Sequence, residues 1–226
     1  MKTMKRITIL SLALLYVLSL TACKKEEEKV KEKYDYMVLV NKQNKLPDDW
    51  EENLELVITK DAWDDDIKVE KKAFEQFKKL KEEVDKDLEK DNATIELDSV
   101  YRSVAEQQDL WDRWSADPEK GPEYVKKFVA VPGYSEHHTG LAIDICLVID
   151  GEIVADNDEM IAQREIFSKV HAKLAKYGFI LRYLEGKDDI TGYSYEPWHF
   201  RYINDPKIAK EIMDKNLTFE EYLNKD

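Results

Sequence analysis

The sequence predicts an α+β fold, a single domain with a small, mostly antiparallel sheet flanked by helices. Two observations favour this class. Helical patterns cluster before and between the short strand patterns instead of alternating with them one for one, and no internal repeat is present. The chain has 226 residues, 43% of them hydrophobic, which suffices for one domain with a full core.

Apolar spacing defines the first elements. Residues 36–42, "YMVLVNK", predict a first strand or an extended arm, and residues 47–57 predict a loop. Residues 74–92 predict a helix, because their apolar side chains recur at intervals of three or four residues. Residues 94–101 predict a strand.

A capping signal marks the start of the next helix. Ser103 is followed three residues later by Glu106, which is the pattern of a capping box. Trp111 and Trp114 are predicted to lie on the buried face of this helix.

The second half contains one strongly apolar run. "LAIDICLVI", residues 141–149, predicts a buried strand, and residues 156–177 predict a helix that Gly178 ends. The remaining elements are two short apolar segments at 179–184 and 196–203 and a helix from about Pro206.

The N-terminus carries features of an exported protein. A basic start precedes an apolar run at 7–20, which is too short for a comfortable membrane span. Small residues follow in "LTAC", residues 20–23, as in a secretory signal, and this stretch resembles a bacterial lipobox. The resemblance implies a signal peptide at 1–22, a diacylglycerol on Cys23 and a position on the extracytoplasmic face of the cell membrane. An ordinary signal peptide and an uncleaved anchor are the alternatives.

Composition sets the domain boundaries and limits the partners. Residues 23–34 predict a charged, flexible tether, since this low-complexity segment cannot build a core, and residues 35–226 form the predicted globular domain. The formal net charge is -13 and no basic stripe is present, which argues against nucleic acid and against binding to anionic lipid by charge. The sequence predicts a monomer.

The chain has two cysteines. If Cys23 is lipidated, Cys146 has no disulfide partner, and the core, a metal or both must hold the exported domain together. Cys146 lies inside the apolar run and is predicted to be a small buried hydrophobic residue. A zinc ligand is the alternative, because Cys146 follows Asp144 by two positions.

Two segments contain residues that could form a catalytic metal site. His137 and Asp144 lie at the start of the apolar run, and Glu196 and His199 lie in "EPWH". A catalytic zinc ion takes three protein ligands and leaves one position open, while a carboxylate that is not a ligand can accept a proton from water. In an extended chain, the adjacent His137 and His138 would point in opposite directions.

Spacing alone does not decide whether these residues form a metal site. Glu196 and His199 are not on an H-E-x-x-H helix. Residues three apart in a flat strand face opposite sides, so the two share a site only if the chain bends between them. Otherwise Asp144 is a polar residue at a strand end, and His199 packs against Trp198 and Phe200.

Two motifs carry a family resemblance. "SEHHTGLAID" at 135–144 matches S-x-H-x-x-G-x-A-x-D, and "EPWH" at 196–199 matches E-x-W-H. In this order and separation they resemble the zinc D-Ala metallopeptidases of bacterial cell walls, which include VanY-type D,D-carboxypeptidases and related L,D-carboxypeptidases. The resemblance extends over roughly 37–202. It implies one Zn²⁺ per chain, the metal ligands His137, Asp144 and His199, and the catalytic base Glu196.

The same resemblance places Arg102, Gln107 and Ser135 in the substrate pocket. Arginine binds a free C-terminal carboxylate through two parallel hydrogen bonds, although a surface ion pair is the alternative for Arg102. Arg182 and Tyr183, in "LRYLEG", could also reach the pocket, with Tyr183 as an electrophile or a substrate contact.

These features predict a zinc hydrolase that removes the C-terminal D-alanine from peptidoglycan stem peptides, a D-Ala-D-Ala carboxypeptidase of VanY type. An L,D-carboxypeptidase acting on tetrapeptide stems is the first alternative. A cell-wall endopeptidase is a further alternative. It would need an open groove at the position where Arg102 is predicted to bind a terminal carboxylate. A non-catalytic lipoprotein that binds zinc or a wall peptide would not require Glu196.

Overall fold

The computed structural model describes residues 35–118 and 121–225. The predicted signal peptide, Cys23 and the predicted tether lie outside these residues. Between 35 and 118 and between 121 and 225, no helix is both long and apolar enough to cross a membrane.

Short strands and helices alternate irregularly along the described residues. The strands are β1 (Leu56–Lys60), β2 (Asp66–Glu70), β3 (Ala93–Ser99), β4 (Ala142–Ile149), β5 (Glu152–Val154), β6 (Phe179–Leu181) and β7 (His199–Tyr202). The α-helices are α1 (Lys71–Leu88), α2 (Val104–Ser115), α3 (Gly121–Phe128), α4 (Asn157–Ala162), α5 (Arg164–Leu174), α6 (Asp188–Thr191), α7 (Pro206–Asp214) and α8 (Phe219–Leu223). Single 3-10 turns cover Glu51–Asn53, Glu89–Asp91, Glu136–Thr139 and Ala175–Tyr177.

The main sheet is antiparallel and has β4 at its centre. Its strands run in the order β3–β4–β7–β6, and β5 also pairs with β4. Ile143, Ile145 and Leu147 of β4 are fully buried, as the apolar run at 141–149 predicts. Helices flank this sheet, so the predicted α+β class with a small antiparallel sheet is confirmed.

Helix α1 follows the predicted apolar spacing. Phe77, Leu80, Val84 and Leu88 are all buried in the core. The helix begins at Lys71, earlier than expected, because the buried Glu70 side chain accepts a hydrogen bond from the Ala73 backbone N–H at 2.7 Å.

Two predictions of local structure are wrong, and for residues 36–42 one of the two alternatives is excluded. Residues 36–42 form no strand, and the Arg201 guanidinium binds the carbonyl oxygens of Tyr36 and Val38. The predicted loop at 47–57 contains a 3-10 turn and the start of β1, which pairs with β2 in a separate hairpin. The predicted helix at 156–177 breaks at Gln163, where ψ is 44°.

The interior position of α2 is polar. Its buried residue is Gln107, whereas Trp111 and Trp114 are only partly buried, so the predicted apolar core face of this helix is wrong. The capping box is confirmed, since the side chains of Ser103 and Glu106 bond each other's backbone N–H. Cys146 is fully buried and unpaired, as predicted for a small hydrophobic residue.

Candidate active site

Strand pairing brings two of the predicted metal ligands face to face. Asp144 of β4 lies opposite His199, the first residue of β7. His137 comes from the 3-10 turn that precedes β4. One potential ligand atom from each of the three residues lies within 4.8 Å of the others. The structure therefore brings His137, Asp144 and His199 together as a cluster that could hold a metal ion.

The turn that carries His137 is fixed at both ends. Ser135 caps it and accepts a hydrogen bond from the His137 backbone N–H at 3.3 Å. Gly140 ends it with φ at 72°, and a Cβ there would lie 3.3 Å from the Cβ of Glu70. His137 and His138 both lie in a 3-10 turn instead of an extended chain, and of the two only His137 belongs to the cluster.

In each histidine of the cluster, one ring nitrogen faces Asp144 and the other lies against a group outside the cluster. His137 Nδ1 lies 2.7 Å from the Val100 carbonyl oxygen, and a carbonyl can only accept, so Nδ1 carries the proton. His137 Nε2 then faces Asp144 Oδ2 at 3.2 Å. His199 Nδ1 lies 2.8 Å from Asp144 Oδ1. Both histidines thus direct one nitrogen at the same carboxylate.

The donor set fits zinc. Asp144 Oδ1 is buried and, among the described residues, makes no hydrogen bond of acceptable geometry despite the nearby His199 ring. A buried carboxylate oxygen with no hydrogen bond is costly unless a cation occupies the space beside it. Two imidazoles and one carboxylate are a common ligand set of catalytic zinc and leave a fourth position for a reactant.

Charges within the cluster are strongly coupled. Burial alone would raise the pKa of Asp144, but the flanking His137 and His199 hold it well below its usual range. Burial likewise opposes protonation of His199, but Asp144 outweighs it and raises the pKa of the imidazole to about 10. Asp144 and His199 therefore favour opposite charges within this buried cluster.

Glu196 reaches the same cavity through a tight turn. The His199 backbone N–H donates to the Glu196 carbonyl at 3.2 Å, so the chain bends between the two residues as their shared site requires. Glu196 Oε2 lies 3.7 Å from His199 Nδ1. The ring N–H of His171 on α5 donates to the Pro197 carbonyl at 2.8 Å and supports this turn. Burial raises the pKa of Glu196 to about 8.

A cavity of about 240 Å³ opens onto these residues. Its wall includes the cluster, Glu196 and other residues considered above: Arg102, Trp114, Ser135, Tyr183 and Trp198. Tyr183 is buried, and its ring centroid lies 4.8 Å from that of His199. Ser135 lines the cavity and also caps the turn that carries His137.

Arg102 and Gln107 form one unit. Arg102 Nη1 donates to Gln107 Oε1 at 2.8 Å, and Nη2 donates to Ser99 Oγ at 2.7 Å. Gln107 is fully buried, donates to the Ala130 carbonyl at 2.7 Å and is not among the residues that line the cavity. Gln107 thus holds Arg102 in place from behind instead of facing the cavity.

The cavity wall also contains residues that the sequence did not predict there, among them Tyr193 and Asp98. Tyr193 is 3% exposed, and its hydroxyl has no hydrogen-bond partner among the described residues. Asp98 also lines the cavity, next to an irregularity in the pairing of β3 with β4, and burial raises its pKa to about 6. Neither residue lies in the two motifs. Asp98 has no register partner in the β3–β4 pairing, and an irregularity of this kind cannot be read from the sequence.

Comparison with known proteins agrees with this fold and cluster. The family model described as VanY, D-alanyl-D-alanine carboxypeptidase, matches residues 66–205. The bifunctional D-Ala-D-Ala dipeptidase and D-Ala-D-Ala carboxypeptidase VanXYC of Enterococcus gallinarum is 44% identical over 137 residues, which are 60% of this chain and 67% of the relative.

Two solved structures are similar over most of the chain. One is a mutant of the vancomycin resistance D,D-pentapeptidase VanY in complex with Zn(II), with a TM-score of 0.64, 28% identity and coverage of 84% of this chain and 99% of that one. The other is the L,D-carboxypeptidase LdcB, with a TM-score of 0.67, 34% identity and coverage of 84% and 86%.

The antiparallel sheet and its two-histidine, one-aspartate cluster define a zinc metallopeptidase fold. Within that class, the chain belongs to the VanY D-alanyl-D-alanine carboxypeptidase family.

Proposed function

We propose that the protein hydrolyses the C-terminal D-alanine from peptidoglycan stem peptides as a zinc-dependent D-Ala-D-Ala carboxypeptidase of VanY type. The observation that carries this proposal is the meeting of the His137–Asp144–His199 cluster with Glu196 and Arg102 around one cavity. Membership of the VanY family supports the same activity.

Glu196 is the proposed catalytic base. Zinc held by the three ligands supplies Lewis-acid chemistry, because it acidifies water and polarises a carbonyl group. Glu196 accepts a proton from the attacking water and returns it to the amino group of the departing D-alanine. Glu196 suits both transfers because it lines the same cavity as the three ligands, with Oε2 3.7 Å from His199 Nδ1.

Arg102 is the proposed anchor for the terminal carboxylate of the substrate. Gln107 and Ser99 engage two of the five guanidinium N–H groups and orient the plane of the side chain. The remaining N–H groups suit a carboxylate, which guanidinium binds in a planar, bidentate way. This contact selects the last peptide bond over internal bonds. Ser135 and Tyr183 are the proposed further substrate contacts, since both line the cavity.

An L,D-carboxypeptidase activity on tetrapeptide stems is the second candidate. The specific observation in its favour is the 34% identity to LdcB, higher than the 28% to the VanY D,D-pentapeptidase structure. The two activities differ in the residue before the scissile bond, and Arg102 and Glu196 serve both equally.

Product analysis on three defined substrates tests both candidates. Zinc-loaded wild type is incubated with a pentapeptide stem, a tetrapeptide stem and free D-Ala-D-Ala, beside Glu196→Gln loaded with the same amount of zinc. Release of D-alanine from the pentapeptide by wild type alone is the expected result. Release from the tetrapeptide alone would replace the D,D activity with the L,D activity. Zinc binding without cleavage of any of the three would contradict the enzyme assignment.

We also propose that Cys23 is lipidated after removal of residues 1–22, and that the protein works as a monomer on the extracytoplasmic face of the cell membrane. The support is the "LTAC" stretch after the apolar run. Radiolabelled fatty acid should enter the wild-type protein and not Cys23→Ser. Label in Cys23→Ser, or a soluble wild type without label, would contradict the anchor.

A further inference from the structure

A cluster of buried charges lies directly behind His199. It consists of Glu136, Arg182, Arg201 and Glu220, and is called the buried ion cluster below. The side chains of the first three have no exposed surface, and that of Glu220 is 8% exposed. Arg182, expected at the substrate pocket, belongs to this cluster and is not among the residues of the cavity wall.

Glu136 connects this cluster to the metal site. Its Oε1 accepts hydrogen bonds from Arg182 Nε at 2.8 Å and from Arg201 Nη1 at 2.9 Å. Its Oε2 lies 3.4 Å from His199 Nε2. A carboxylate held between two guanidinium groups stays ionised and can only accept, so Nε2 of His199 is the protonated nitrogen. The other nitrogen, Nδ1, is the one that faces Asp144.

The C-terminal helix fixes the far side of Arg182. Glu220 of α8 accepts from Arg182 Nη1 at 2.8 Å and from Nη2 at 2.7 Å, a bidentate pair. Asn41 donates to the same carboxylate at 3.0 Å. All three nitrogens of the Arg182 guanidinium are thereby engaged, so the side chain cannot rotate without breaking hydrogen bonds. Asn41 and Glu220 both lie outside the residues 66–205 that the family model matches.

The arrangement differs from that of a purely structural ion pair. Burying charges is costly, and apolar side chains of similar volume often stabilise a core equally well. Here one turn supplies both a metal ligand, His137, and the carboxylate that contacts another ligand, His199. Contacts of this kind to the outer nitrogen of a ligand histidine fix the ring orientation and its tautomer.

We propose that Glu136 is a positioning residue for the metal ligand His199, and that Glu220 acts on the same ligand through Arg182. The inference rests on the zinc site proposed above. It predicts that zinc affinity depends on a residue of the C-terminal helix in addition to the three ligands.

The experiment measures zinc affinity by competition with a chelator in Glu136→Gln, Glu220→Gln and wild type. Glu136→Gln keeps an acceptor oxygen but loses the charge between the two arginines, and should lower zinc affinity about 10- to 100-fold. Glu220→Gln should lower it by a smaller factor, roughly threefold. The visible spectrum of the Co²⁺-substituted protein should change in Glu136→Gln, because the geometry around His199 changes.

Glu83→Gln is the matched control. Glu83 on α1 accepts from Lys173, Lys176 and Tyr177, none of which lines the cavity. This variant should lose thermal stability while its zinc affinity and Co²⁺ spectrum remain those of wild type.

The outcomes separate this inference from the proposed function. Wild-type zinc affinity in Glu136→Gln, with an unchanged Co²⁺ spectrum, would overturn the positioning role while leaving the zinc site in place. If Glu136→Gln does not fold, Glu220→Gln carries the test, and unchanged affinity there overturns the role of α8. A wild-type protein that binds no zinc would overturn the site itself.

Discussion

Asp144 and His199 are direct register partners across the β4–β7 pair, and their side chains meet with Oδ1 2.8 Å from Nδ1. Two of the three proposed metal ligands thus come from neighbouring strands, whose backbone hydrogen bonds fix the distance between them. His137 is attached less rigidly, through a 3-10 turn that Ser135 and Gly140 delimit. The site is therefore largely preformed before a metal binds.

The first prediction concerns the Asp144 carboxylate. Asp144→Asn removes the anionic ligand and should lower zinc affinity by more than the roughly 10- to 100-fold expected from losing a supporting contact. Asp98→Asn is the comparison, because Asp98 lines the same cavity outside the three-residue cluster and should change zinc affinity much less. Chelator competition measures both. Equal affinities in Asp144→Asn and wild type would exclude Asp144 as a ligand.

The second prediction concerns the stability of the metal-free protein. Burial raises the pKa of Glu196 to about 8 from the model-compound value of 4.5. The folded state therefore retains a proton on Glu196 that the unfolded state loses, and the contribution of Glu196 to stability falls as the pH rises from about 4.5 to 8. Glu196→Gln has no such loss and should be more stable than wild type by on the order of 4 kcal/mol at pH 8.

Urea unfolding in the presence of EDTA checks this prediction. The free-energy difference between Glu196→Gln and wild type should be small at pH 4.5 and grow towards pH 8. A difference that stays constant over this range would show that the Glu196 carboxyl group titrates normally in the folded protein.

The third prediction tests the carboxylate anchor. Arg102→Lys keeps the positive charge but loses the planar pair of donors, so kcat/KM should fall roughly 10- to 100-fold, chiefly through KM. Gln107→Met should act in the same direction to a smaller extent, since Gln107 holds the guanidinium. Gln108→Ala is the control, because the Gln108 amide bonds only its own helix neighbour Asp112 among the described residues.

A C-terminally amidated peptide completes this test. Wild type should cleave it poorly, and Arg102→Lys should discriminate little between the amide and the free acid. An unchanged preference for the free acid in Arg102→Lys would assign the anchor to a different residue.

The fourth prediction concerns Tyr193. Its buried hydroxyl lacks a hydrogen-bond partner among the described residues and lines the cavity. Tyr193→Phe should therefore change the free energy of unfolding by less than about 1 kcal/mol, since no hydrogen bond is lost. If the hydroxyl binds substrate, kcat/KM falls about 10-fold. Tyr195→Phe is the control outside the cavity wall. Full activity in Tyr193→Phe would remove the hydroxyl from substrate binding.

The sequence was most informative where one interaction dominates. The spacing of Phe77, Leu80 and Val84 depends only on burial of one helix face, and the resulting helix prediction is correct. The apolar run around Ile143 and Ile145 predicts its strand for the same reason. The Ser103 capping box is equally local and is also confirmed.

Predictions failed where distant residues decide local structure. Residues 36–42 have the composition of a strand but form none, and the buried Arg201 binds two of their carbonyl groups. Gln107 occupies the interior of α2 because it bonds Arg102 and Ala130, which are contacts that helical periodicity cannot show. The roles of Glu136 and Glu220 were missed for the same reason.

The pair formed by Asn41 and Glu220 also has a consequence for folding. It links the first part of the described chain to its last helix, through a carboxylate that also binds Arg182. A fragment trimmed to residues 66–205, the span of the family match, would lack both partners and leave a guanidinium group inside the core short of a counter-charge. The segment around Asn41 and the last helix should therefore unfold together with the catalytic centre. Proteolytic removal of either one should inactivate the enzyme because the domain unfolds.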